Sequence, residues 1–146
     1  MPTVSKSVLV EHSAQRMFDL VDGVEDYPAF LPWCAGTTVL ERTPETLVSR
    51  IDINFHGVRA HFTTANRNEP PHRIVISLRD GPFRELDGSW RFRSLKPQAC
   101  KVEFHLRYDF ASRMLEGLIG PVFNHIATTF IDAFVKRADN LYKEAP

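Results

Sequence analysis

Between Leu47 and Phe110 apolar and polar residues alternate with a period of two, the spacing that puts successive side chains on opposite faces of a β-strand. Leu47, Ser49, Ile51, Ile53 and Phe55 share one parity, and His56-Gly57 turns the chain into Val58, Ala60, Phe62 and Thr64. Glu69-Pro70-Pro71 marks the next turn. Ile74, Ile76 and Leu78 form the inward set of the following strand, and Asp80-Gly81-Pro82 ends it. Leu86, Gly88, Trp90 and Phe92 then oppose Glu85, Asp87, Arg91 and Arg93. In the last run Cys100, Val102, Phe104, Leu106, Tyr108 and Phe110 alternate with Lys101, Glu103, His105, Arg107 and Asp109. This pattern predicts an antiparallel meander with one dry face and one wet face.

Helical spacing replaces the alternation at the two ends. After a strand from Val4 to Glu11, Ser13 is an N-cap for a short amphipathic helix carrying Met17, Phe18, Leu20 and Val21. A second helical segment is expected over residues 24–30, broken by Pro28 and stopped by Pro32, with a strand beginning near Trp33. Ser112 can cap a helix running to about Tyr142, with Leu115, Leu118, Ile119, Val122, Phe123, Ile126, Phe130, Phe134 and Leu141 as its apolar positions. Gly120-Pro121 predicts a kink or a fresh start within it.

These elements specify an α+β fold: a twisted antiparallel sheet of six to seven strands around a long C-terminal helix, with two short helices after the first strand. At ~1.5 Å per residue that helix is about 45 Å long, enough to cross the sheet but too narrow to fill its concavity. The gap must be closed by large side chains or filled by a ligand. Composition speaks to this directly, because Phe occurs 11 times against three Tyr and two Trp. The candidate cavity wall is Leu31, Trp33, Phe62, Ile76, Trp90, Phe92, Phe104, Leu106, Tyr108, Phe123 and Phe130. A hydrophobic small molecule is the partner this wall implies.

Length and charge narrow the remaining classes. The 146 residues fit one domain, 1–146. Eighteen basic and eighteen acidic residues cancel, so no net field draws the chain onto nucleic acid, and DNA is not expected as a partner. Cys34 and Cys100 lack the spacing of a zinc site or a disulfide framework, and no metal site is expected. With no leader-like N-terminus and no long apolar run, the expected location is the cytoplasm, peripheral to the inner membrane if the ligand is a membrane lipid.

Several motifs carry a family resemblance. Leu20-Val21, Val24, Tyr27-Pro28 and Phe30-Leu31-Pro32-Trp33-Cys34 resemble the N-terminal signature of the coenzyme Q-binding START-domain family, whose members are also labelled polyketide cyclase or dehydrase. The similarity continues through Phe62-Thr63-Thr64 with Asn66, Asp80-Gly81-Pro82-Phe83, Gly88 with Trp90 and Phe92, Ala99-Cys100-Lys101-Val102, and the run from Asp132 to Ala138. Gly23, Ala65 and Asn68 depart from it, standing where Asp, a basic residue and an apolar one are usual. The resemblance implies the helix-grip fold and one of two roles. One is to hold a quinone or similar lipid in support of respiration. The other is to associate with the large ribosomal subunit and hinder subunit joining.

Candidate chemistry outside the wall is sparse. His56 and His72 fall in turns, and His61 and His105 fall on wet strand faces, while no nucleophile motif or phosphate loop is present. No catalytic residue is assigned, the chain is not read as an enzyme, and no cofactor is required beyond a bound quinone or lipid. Arg59, Arg91, Arg93 and Arg107 project from the outer sheet face or its rim, where they either contact ribosomal RNA phosphates or pair with Glu41, Glu85, Asp87, Glu103 and Asp109. The apolar, proline-broken segment from Tyr27 to Trp33 is either a mouth that makes transient membrane contact or a stiff corner packed on the long helix.

Overall fold

In a computed structural model describing residues 2–142, strand β1 (Thr3–Val10) leads into helix α1 (Ala14–Asp22), a single 3-10 turn (Val24–Asp26) and helix α2 (Tyr27–Phe30). Six strands follow, β2 (Cys34–Arg42), β3 (Thr46–Phe55), β4 (Val58–Glu69), β5 (Arg73–Asp80), β6 (Phe83–Lys96) and β7 (Ala99–Phe110), and then helix α3 (Arg113–Leu141). They form one antiparallel sheet in the order β1-β7-β6-β5-β4-β3-β2, a meander whose last strand is flanked by the first. The alternation predicts the antiparallel meander, and the whole is the helix-grip arrangement that the family resemblance implies.

Local chemistry explains the boundaries. Ser13 Oγ accepts from the Arg16 amide at 3.1 Å and Ser112 Oγ from the Leu115 amide at 3.2 Å, so both caps satisfy an otherwise orphaned helical donor. His56 and Gly57, with φ of 51° and 79°, make the tight turn whose twist matches a hairpin. Pro28 does not break a helix. It sits in the first turn of α2, where a missing amide costs nothing, and the break falls before it. Pro121 does not restart α3 either, since the helix is continuous through it. Proline there removes only the donor to the Gly117 carbonyl, and Gly117 lies in open space where water can serve it.

Gly88 lies mid-sheet, paired with both Ile76 and Leu106. A Cβ at this position would lie 2.5 Å from the His105 carbonyl oxygen, so only glycine lets β6 and β7 approach this closely.

Helix α3 lies in the sheet's concavity and buries Ile119, Phe123, Ile126, Ala127, Ile131, Phe134 and Ala138. Its length and composition would suit a membrane span, but this apolar stripe is taken up by the sheet. Polar ties fix its C-terminal half to the N-terminal segment. Lys6 Nζ donates to the Thr128 carbonyl and lies 3.9 Å from Asp132, and His12 Nε2 lies 2.7 Å from Asp139 Oδ1.

Candidate functional site: a cavity between sheet and helix

The middle of the sheet and the facing turns of α3 leave a cavity of about 70 Å³. Of the residues predicted from the sequence, Trp33, Phe62, Ile76, Trp90, Phe104, Leu106, Phe123 and Phe130 line it. Val21, Val24, Tyr27, Ile51, Leu86, Ile126 and Ala127 complete the apolar wall, with Ser49, Thr64 and Asn66 as a polar corner. Ligand sites for molecules of drug size run to about 300–1,000 Å³, so the aromatic rings occupy much of the space a guest would need. Phe104 is the centre of this packing, with its ring centroid 4.6 Å from Trp90 and 5.6 Å from Phe130.

Three expected wall residues lie elsewhere. Phe92 is one turn of the pleat beyond Trp90 and packs under α1 against Phe18 at 5.9 Å. Tyr108 lies behind the wall in an aromatic cluster with Phe83, Phe110 and the wall residue Phe123, and its hydroxyl donates to Asn124 Oδ1 at 3.1 Å. Leu31 is buried at the corner after α2, below a surface groove shared with Phe55 and His125. Each faces inward as its spacing requires, but each lies beyond the stretch where sheet and helix stand apart.

The corner from Tyr27 to Trp33 is packed on α3. Tyr27 and Phe30 meet Phe134 edge-on at 5.3 Å and 5.2 Å, while Arg137 lies over the Phe30 ring at 5.1 Å. The Tyr27 hydroxyl donates to the Val21 carbonyl, and burial, reinforced by the nearby Asp22 charge, pushes its ionisation well above the ordinary phenol range. Burial likewise pushes the Cys34 thiol up to about 11. Neither group is poised to lose a proton near neutrality.

Among the described residues the cavity lining contains no Asp, Glu, His, Lys or Arg, and no cluster of three metal-ligating side chains occurs. The one buried histidine is His12, which sequence reading left unplaced because its partner Asp139 is 127 residues away.

On the outer face the four candidate arginines divide into two kinds. Arg93 lies 3.3 Å from Glu103 and Arg107 3.3 Å from Asp87, the cross-strand pairing that the charge pattern allows. Arg59 and Arg91 are exposed and, among the described residues, have no carboxylate within ion-pair distance.

Comparison with known proteins adds four observations. Residues 10–135 match the family model described as polyketide cyclase / dehydrase and lipid transport. The ribosome association toxin RatA of Vibrio cholerae is 43% identical over 144 residues, covering 99% of this chain and 100% of that protein. The mitochondrial coenzyme Q-binding protein COQ10 homolog B of Xenopus laevis is 27% identical over 94% of this chain and 58% of its own length. Among solved structures, the Zhui aromatase/cyclase from a Streptomyces species superposes with a TM-score of 0.77 at 18% identity, covering 94% of this chain and 93% of that one. That last likeness establishes the shared fold.

Proposed function

This chain belongs to the polyketide cyclase / dehydrase and lipid transport family, and from that premise we propose that it holds an isoprenoid quinone or related lipid between sheet and helix. The observation that carries this reading is a wall of aromatic and aliphatic side chains with no charged group among the described residues. Burying about 300 Å² of prenyl tail at ~25 cal/mol per Å² gives about 7.5 kcal/mol before ordering costs, the main favourable contribution to holding such a guest. The lining favours binding over catalysis, because its one ionisable side chain, Tyr27, is already committed to the Val21 carbonyl.

Trp33 and Trp90 are the only tryptophans and both line the cavity, so a bound quinone quenches them. Titration with a fully substituted benzoquinone carrying a ten-carbon tail tests the proposal. Saturable quenching in the wild type, abolished by Phe104→Arg and weakened by the space-filling Ala127→Leu, is expected. Equal quenching in all three proteins would refute the cavity as the site.

A second reading, association with the ribosome, is favoured by the similarity to RatA along the whole chain and by Arg59 and Arg91 on the outer face, exposed and without an ion-pair partner among the described residues. It uses the opposite side of the sheet, so the two roles can coexist. Co-sedimentation with large ribosomal subunits at low salt, fading at moderate salt and lost when Arg59 and Arg91 become Glu, is the expected signature. No co-sedimentation at low salt would dispose of it.

A further inference from the structure

We infer that the polar corner formed by Ser49, Thr64 and Asn66 is the head-group subsite of the cavity, and that it selects a neutral amphiphile bearing a hydroxyl or carbonyl group. The inference rests on the reading of the cavity as a ligand site and assigns the polar end within it.

Register builds the corner. Ser49 on β3 pairs directly with Thr64 on β4, and Asn66, two residues on, shares its face and pairs with Leu47 and Ile76. All three line a cavity that is otherwise apolar apart from Tyr27. Ser49 is 1% exposed and Thr64 5% exposed, on the inward faces of their strands. A serine, threonine and asparagine at such positions are costly unless partnered, because each loses its water on burial.

Two of these groups have no partner among the described residues. Ser49 Oγ and Asn66 Oδ1 are buried without a hydrogen bond. A neighbouring polar group shows what a satisfied one looks like here. The Tyr27 hydroxyl, which lines the same cavity, is bonded to the Val21 carbonyl, whereas Asn68, outside the lining, donates to Asp22 Oδ1 at 3.0 Å but has its own Oδ1 buried without a partner. Ser49 and Asn66 are therefore left as a donor and acceptor set facing the space a guest would enter.

The chemistry of the guest's head follows. Serine hydroxyl and asparagine amide each offer both donor and acceptor capacity, matching a hydroxyl or a carbonyl. The lining holds no opposite charge, so a phosphate, carboxylate or ammonium head would be desolvated without compensation. The tail then lies along Trp90, Phe104, Leu106 and Phe123, away from the corner.

The test uses the full chain, wild type and Ser49→Ala/Asn66→Leu, with two probes sharing a ten-carbon tail: the fully substituted benzoquinone, and decylbenzene, which has no polar head. Quinone affinity is read from quenching of Trp33 and Trp90, decylbenzene affinity from displacement of the quinone, and folding from the melting temperature. Loss of two hydrogen bonds weakens quinone binding by roughly 5- to 100-fold. Decylbenzene affinity stays constant, and the melting temperature holds or rises because an unpartnered buried hydroxyl has been removed. Unchanged quinone affinity, or an equal loss for both probes, overturns the corner as the head-group site while leaving the cavity reading standing. A wild type that binds neither probe overturns the cavity reading itself, and this inference with it.

Discussion

Phe104 of β7 and Phe130 of α3 meet across the cavity with ring centroids 5.6 Å apart, and both also contact Trp90, at 4.6 Å and 5.7 Å. These rings occupy much of the space between sheet and helix, which is why the cavity is small. Their tilted contacts are individually weak, so a guest that offers equivalent apolar surface can displace them.

Truncating one of them separates stability from capacity. Phe130→Ala is expected to destabilise the fold by about 3 kcal/mol in urea unfolding while tightening binding of a bulky quinone. Loss of stability together with loss of binding would mean that Phe130 is a contact for the guest rather than a plug.

Gly88 marks where β6 and β7 approach too tightly for a side chain. Gly88→Ala puts a methyl 2.5 Å from the His105 carbonyl oxygen, which is backbone and cannot rotate away. A loss of about 2 kcal/mol or more in urea unfolding is expected. A neutral outcome would show that β6 and β7 can separate at that point without cost.

Alkaline pH should weaken the fold. Cys34 is raised by burial from 9.0 to about 11, and burial also raises Cys100, Tyr108 and Tyr27. Between pH 9 and 11 the unfolded chain has released the Cys34 proton and the folded chain has kept it, so stability falls as pH rises through that window. Melting temperatures measured across it should decline, and less steeply for Cys34→Ala. The same slope in the variant would show that Cys34 is not buried as described.

Much of this architecture was legible in the sequence. Strict alternation from Cys100 to Phe110 fixed which side chains of β7 face inward, and Ser13 and Ser112 located both helix starts. Parity reports a face but not a position along the strand. β6 is 14 residues long and β7 12, longer than the cavity is wide, so Phe92 and Tyr108 share the face of Trp90 and Phe104 without reaching the gap. Ser49, Thr64 and Asn66 were visible as polar residues at inward parity, but only the fold shows that the first and last have buried atoms without partners. The pairing of His12 with Asp139 has no local signature at all, because it joins opposite ends of the chain.

The most direct test of ligand binding is organic-solvent extraction of the freshly purified native protein, followed by mass spectrometry for quinones and other lipids, with Phe104→Arg purified in parallel. A neutral quinone or related lipid near one per chain in the wild type, and absent from the variant, is the predicted result. Empty wild-type protein, or equal lipid in both, would contradict the cavity as the functional site and leave the outer arginine face as the surface to pursue.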